Sequence, residues 1–172
     1  PYWQNSVMAS RWNAFGVKQY MQGSIPSCIF ALENVADVYL GGNDLTMEIG
    51  EVVFSSSLRT IDLSRNRVVG KLPASMSGLE RIQHIDLSWN AIQGDLEEVS
   101  RLAMNHGSRK VEEDLSVDVR LNYFSGKIPR NLLTLQNISI LSGNVFDCSS
   151  EVPQHDPEAS KYQCGSESID MN

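Results

Sequence analysis

Three kinds of residue in this sequence have the type and spacing for chemistry beyond packing. Tyr39, Trp89 and Tyr123, with Arg65, Arg67 and Arg120, are broad aromatic or planar cationic side chains of the kind that anchor interfaces. Cys148 and Cys164, 16 positions apart in a polar stretch, could close a loop; the alternative is two free thiols. Asn137-Ile138-Ser139 is an N-glycosylation acceptor, set on the leg leading into the last turn of the chain. Catalysis finds little support. His84, His106 and His155 are scattered, and His155-Asp156-Pro157-Glu158 reads as a turn. No Gly-rich phosphate loop, Ser-His-Asp order or metal-ligand spacing is present. The expectation is a non-enzymatic chain with no cofactor and no metal.

What must position these residues is a repeat. Leu58, Ile61, Leu63, Asn66, Val68, Gly70 and Leu72 recur 24 residues later as Ile82, Ile85, Leu87, Asn90, Ile92, Gly94 and Leu96. A constant period in the twenties with LxxLxLxxNxL spacing marks a leucine-rich repeat. In Ile61-Asp62-Leu63 and Ile85-Asp86-Leu87, alternation sends the apolar side chains inward and the aspartate outward. Each repeat therefore contributes one short strand to a parallel stack. The asparagine sits where the chain leaves the strand, and its carboxamide both donates and accepts, so it can satisfy backbone groups that the turn leaves unpaired. Gly70 and Gly94 permit the next bend. Leu72-Pro73 then begins the return leg, because proline cannot extend a sheet.

The pattern extends on both sides. Upstream stands Leu32, Val35, Val38, Leu40, Asn43 and Leu45, with Met47 at the glycine position. Downstream come Val111, Val117, Val119, Asn122, Phe124, Gly126 and Ile128-Pro129. A shortened last repeat follows from Leu132 to Asn144 and Phe146. Between the repeats of Asn90 and Asn122 the spacing is 32, so residues 97–110 are expected to bulge outward as one helical turn or two while the stack continues. Residues 1–31 form a degenerate or truncated repeat ending at Gly23-Ser24-Ile25-Pro26. Counting back from it places Met8, Arg11, Ala14 and Gly16 at the apolar positions and Gln19 at the asparagine. Trp3, Trp12 and Phe15 could patch that end of the stack. The expected organisation is 1–31, then repeats over 32–147, then a cysteine-containing flank over 148–172. Cys28 is expected as a buried small apolar residue.

The motifs LSRNRVVGKLP, LSWNAIQGDL and LNYFSGKIP resemble the plant-type leucine-rich repeats of receptor-like protein ectodomains. The closing segment, with Cys148 and Cys164, resembles the end of such ectodomains in algae and protists. The resemblance implies an α/β repeat fold, a solenoid with a short parallel sheet on its concave face and irregular or 3-10 legs on its convex face. It also implies that any membrane span or kinase would lie in a segment absent from this chain. Pro1 stands where Met would open a reading frame, so a fragment or mature segment is expected.

On such a scaffold the outward strand positions face the concave side: Tyr39, Asp62, Asp86 and Asp118, with Asp37, Thr60, His84 and Ser116 on the preceding edge. Arg65, Trp89 and Leu121 follow the strands, then Asp44, Arg67, Ala91 and Tyr123, with Arg120 beside them. The candidate ligand surface is Tyr39, Asp62, Arg65, Arg67, His84, Asp86, Trp89, Asp118, Arg120 and Tyr123. The structural column is Asn43, Asn66, Asn90, Asn122 and Asn144. Among 172 residues, 41% hydrophobic and 20% charged with net charge −7, no basic patch invites nucleic acid. A paired Cys148 and Cys164 would favour an oxidising compartment. The reading is a cell-surface module binding a protein, peptide or glycan. The alternatives are a cell-wall or adhesion scaffold, or an intracellular adaptor if the flank cysteines are reduced.

Overall fold

The computed structural model describes residues 6–8, 20–107 and 115–164. Val111, Arg11, Ala14, Gly16, Gln19, Trp3, Trp12 and Phe15 lie outside them.

Each repeat forms two short strands, and among the described residues the strands assemble into two parallel six-stranded sheets. The first sheet holds β1 (Ser6–Met8), β3 (Asp37–Tyr39), β5 (Thr60–Asp62), β7 (His84–Asp86), β9 (Ser116–Asp118) and β11 (Asn137–Ser139), in that spatial order. Its middle residues Val38, Ile61, Ile85, Val117 and Ile138 are buried, as are Leu40, Leu63, Leu87, Val119 and Ile140 just beyond the strands. The apolar pair of each LxL thus supplies the core, each side chain contributing about 1.5–3 kcal/mol by burial.

The second sheet is built from the chain after the asparagine. It holds β2 (Gln22–Ser24), β4 (Asp44–Glu48), β6 (Arg67–Lys71), β8 (Ala91–Gly94), β10 (Tyr123–Gly126) and β12 (Val145–Phe146). Sequence reading anticipated only one sheet, because the strand register here departs from the repeat. Ile61 pairs with Ile85, a full repeat away, but Gly70 pairs with Ile92 rather than with Gly94. The second strands therefore stack with a stagger that the repeat alignment hides. Gly70 has φ +96°, and the Glu48 carboxylate occupies the place where a Cβ would stand. Met47, at the equivalent of that glycine, is buried between Leu45 and Ile49, and its strand stays extended instead of bending.

The return legs are 3-10 turns at Ser27–Ala31, Ile49–Glu51, Ala74–Gly78 and Arg130–Thr134, three of them directly after Pro26, Pro73 and Pro129. The long leg differs from expectation. Instead of one or two turns it is an α-helix, α1 (Glu97–Gly107), of about three turns. Its Val99, Leu102 and Ala103 are buried, and it packs between the turns Ala74–Gly78 and Arg130–Thr134. The extra residues are absorbed there, so Ile85 still pairs with Val117 across the 32-residue gap. None of the helices among the described residues is long and apolar enough to cross a membrane.

Three further expectations are corrected. Val7 pairs in register with Val38, so the strand of the first repeat lies earlier in the chain than counting back from Gly23 placed it. Cys28 is exposed and Leu32 is 51% exposed, because the turn Ser27–Ala31 directs Phe30 inward, where it meets Phe54 edge-on at 5.4 Å. Asn137 lies not on a leg but at the first position of β11, beside Ser116.

Candidate ligand-binding surface

The turns between the two sheets set the geometry of the surface, and asparagines hold those turns. Asn90 Nδ2 donates to Leu87 O (3.1 Å) in its own repeat and to Leu63 O (2.9 Å) in the preceding one. Its Oδ1 accepts from Val68 N at 2.9 Å. Asn66 does the same toward Leu63, Leu40 and Leu45, and Asn122 toward Val119, Leu87 and Ile92. Asn144 serves Ile140, Val119 and Phe124, while Asn43 bonds Leu40 O and Met21 N. Each carboxamide ties two repeats together through backbone groups that would otherwise be buried without partners.

Immediately before each asparagine the backbone is left-handed. Gly42 and Gly143 occupy that position at two turns, with φ +72° and +67°. Arg65, Trp89 and Leu121 occupy it at the others, with φ +54°, +57° and +55°. A non-glycine residue there costs about 1–2 kcal/mol. The N–H of each bonds the neighbouring repeat, Arg65 N to Ser88 O at 2.8 Å and Trp89 N to Arg120 O at 3.0 Å. The shared conformation directs successive side chains onto one another: the Arg65 guanidinium lies 5.0 Å from the centroid of the Trp89 ring. Trp89 remains 48% exposed and Tyr123, opening β10, 66% exposed.

The other candidate charges are engaged within the fold. Arg67 pairs with Asp44, and Arg120 Nε lies 3.0 Å from Asp118 Oδ2. Arg65 makes no ion pair among the described residues, which leaves its guanidinium free for a partner. The aspartates have local tasks. Asp62 Oδ1 accepts from Ser64 N and Oγ at 3.0 and 2.7 Å, Asp86 Oδ1 from Ser88 N at 2.9 Å, and Asp118 Oδ1 from Arg120 N at 3.2 Å. They close the turn after each strand, which explains the aspartate column without any ligand. Tyr39 shares their row, with Tyr39 beside Asp62 in register, and His84 lies in the row of Thr60 and Ser116. Burial pushes the Asp118 carboxyl above its usual range. Asp86 and Asp156 add to the rise, against the opposing N–H and guanidinium of Arg120.

Beyond the cysteine pair, which sequence reading offers as a disulfide, the flank contributes residues that it missed. Cys148 and Cys164 are joined by a disulfide. Inside that loop Asp156, which reads as a turn residue, is buried, and its Oδ2 accepts from Ile140 N at 2.6 Å and Leu141 N at 3.1 Å. The Tyr162 hydroxyl accepts from Phe146 N at 3.0 Å, and Ser150 Oγ from Ile128 N at 3.1 Å. At Ile140 N the Asp156 oxygen stands where a further repeat would supply a strand carbonyl, and at Phe146 N the Tyr162 hydroxyl stands where its asparagine would supply Oδ1, as Asn144 does for Phe124 N. His155 and Pro157 of the same loop line a groove of about 300 Å³ with His84, Asp86 and Asp118 of the first sheet. An Asp-Pro step between two cysteines was the available signal, but nothing local says that the carboxylate turns inward.

Residues 33–92 match the family described as "Leucine rich repeat". The chain is a leucine-rich repeat protein. Receptor-like protein 18 of Arabidopsis thaliana is 32% identical over 162 residues, which is 84% of this chain and 18% of that protein. The leucine-rich repeat chain spans only 13 to 18% of the curated relatives it matches. Among solved structures it is similar to the ectodomain of the receptor kinase SOBIR1 from Arabidopsis thaliana, with TM-score 0.59, 27% identity and 77% of each chain covered. It is also similar to the ectodomain of the Arabidopsis receptor kinase HAESA in complex with an N-terminally extended IDA peptide hormone. That likeness has TM-score 0.63 and 27% identity over 79% of this chain and 22% of that one. These ectodomains and receptor-like relatives place the repeat outside the cell or at its surface.

Proposed function

We propose that this chain is a non-catalytic recognition segment of a receptor-like protein, binding an extended peptide or protein partner on the concave face formed by the first sheet and its turns. The surface runs from Tyr39 through Asp62, His84, Asp86, Asp118 and Arg120, centred on Arg65, Trp89 and Tyr123, with Arg67 at its edge. The observation that carries this reading is the Arg65–Trp89 stack. Gly42 and Gly143 do the same backbone task with no side chain, so the fold itself requires neither the guanidinium nor the indole. Both are held at a conformational cost, exposed, and in Arg65 without an ion pair. Inward positions are committed to the core, and the opposite side is interrupted by α1. Successive strand rows about 4.8 Å apart suit an extended chain. The similar HAESA ectodomain is seen with a peptide hormone.

The test is a screen of synthetic secreted-type peptides against the immobilised chain, followed by titration of any hit. Trp89→Ala and Arg65→Ala should each weaken that hit at least about tenfold, roughly 1.4 kcal/mol, with unchanged melting temperature. Met104→Ala on the exposed side of α1 should leave affinity intact. The reverse pattern would place the site on the wrong face and overturn the reading.

A further inference from the structure

Three successive turns lead into first-sheet strands, and the middle one is built from smaller residues than its neighbours. Glu33-Asn34 precedes β3, Ser56-Ser57 precedes β5 and Glu80-Arg81 precedes β7. The leg feeding the middle turn is also short: its 3-10 turn, Ile49–Glu51, has three residues, against five in Ser27–Ala31 and in Ala74–Gly78. Serines set between longer side chains leave a trough of about 480 Å³. Ser55, Ser56, Ser57 and Val53 line it from the middle repeat, Glu33 from the preceding one, and Glu80 and Arg81 from the following one. Its volume falls within the range of small-ligand sites, about 300–1,000 Å³. Two of the serines fix the floor: Ser57 Oγ donates to Val35 O at 2.9 Å, and the Ser55 and Ser57 hydroxyls lie 2.9 Å apart. The side chains of Glu33, Ser56 and Arg81 are exposed and make no hydrogen bond or ion pair among the described residues.

We propose that this trough is a second binding site, one that takes a neutral oligosaccharide. A carboxylate only accepts hydrogen bonds, a guanidinium only donates them, and a serine hydroxyl does both. Adjacent sugar hydroxyls donate and accept at once, so they can meet Glu33, Ser56 and Arg81 together. Val53, 64% exposed, gives the C–H face of a sugar ring an apolar contact. Charge selects against the alternatives. Glutamates on both walls repel a polyanion, as does the net charge of −7, while the unpaired Arg81 guanidinium repels a polycation. An extended peptide draws much of its affinity from an open sheet edge, and β3, β5 and β7 are each paired on both sides. The site is separate from the concave surface: these turns precede the first-sheet strands, Arg65 and Trp89 follow them, and none of the proposed peptide-contacting residues lines the trough.

The test is calorimetric titration of the chain with cellohexaose and mannohexaose as neutral probes, and with hexagalacturonate and a glucosamine hexamer as charged ones. Ser56→Trp fills the trough, while Glu33→Ala and Arg81→Ala cut back its walls. All three positions are exposed turn sites, so melting temperatures should stay at the wild-type value, and any variant that does not melt there yields its place to the other two. The expected result is saturable binding of at least one neutral probe, weakened at least about fivefold by each variant, with both charged hexamers binding more weakly. Met104→Ala, on α1, should leave that affinity unchanged. No binding of either neutral probe, tighter binding of a charged hexamer, or wild-type affinity in the correctly folded variants would overturn the proposal. Each of these outcomes leaves the peptide titrations on Trp89 and Arg65 untouched, so the two readings fail separately.

Discussion

Asp156 accepts a hydrogen bond from Ile140 N at 2.6 Å, across 16 residues, and that contact ends the first sheet. Each earlier strand hands its N–H groups to the next repeat, as Val119 N does to Ser139 O at 2.9 Å. After β11 no next repeat exists among the described residues, and a side-chain carboxylate takes the place of the missing carbonyl at Ile140 N while also accepting from Leu141 N, which earlier repeats satisfy with their own strand aspartate. In the second sheet the Tyr162 hydroxyl accepts from Phe146 N in place of the asparagine Oδ1 that serves Phe124 N one repeat earlier. The disulfide between Cys148 and Cys164 encloses both residues in one loop.

Removing that carboxylate leaves two buried N–H groups without an acceptor. Asp156→Ala is expected to lower stability by about 1–3 kcal/mol for each group left unpaired, measured as a fall in the urea midpoint. Asp156→Asn, which keeps one accepting oxygen, should recover part of the loss. An Asp156→Ala midpoint equal to wild type would show that solvent replaces the cap without cost.

Breaking the disulfide acts on the same loop from the unfolded side. A 16-residue closure is worth about 3 kcal/mol in the chain-entropy model. The Cys148→Ser, Cys164→Ser double variant should therefore unfold at lower denaturant. Combined with Asp156→Ala it should lose less than the sum, because both changes loosen one flank. Strict additivity would mean that the cap holds its place without the bridge.

Asn90→Ala removes two contacts to the preceding repeat, with Leu63 O and Val68 N, and two within its own, with Leu87 O and Ser88 O. The expected loss is about 1–3 kcal/mol with the denaturant slope unchanged, read by equilibrium unfolding. A midpoint equal to wild type would sink the assigned role.

The raised Asp118 carboxyl gives a pH dependence with a defined sign. Its folded pKa lies above the ordinary value of 3.8, so the folded state binds the proton more tightly than the unfolded state. The contribution to stability is thus fully present below about 3.8 and is lost as pH rises through the higher folded value. Asp118→Asn should melt above wild type at neutral pH, and the difference should shrink as pH falls through that window. Its loss of the Arg120 pair, exposed and screened, offsets only a little of the gain. A melting difference that does not change with pH would show that burial of Asp118 has no energetic consequence.

The sequence by itself determined the repeat, the buried strand positions, and the asparagines at the turns. These follow from spacing along the chain: a strand of period two must bury Ile61 and Leu63 together, whatever lies beside them. The same logic located where the 32-residue gap had to bulge, because Val117 had to rejoin Ile85. Tertiary structure decided the rest. The second sheet depends on a stagger between neighbours, Gly70 against Ile92, that no alignment of repeats displays. Only stacking brings Arg65 over Trp89, since residues 24 positions apart meet through the turn conformation they share. The inward path of Asp156 depends on the loop that the disulfide closes and on two N–H groups left open by the last strand. Local pattern fixes what a side chain must be buried with in its own strand; partners supplied by other repeats, or by their absence, are set only when the stack forms.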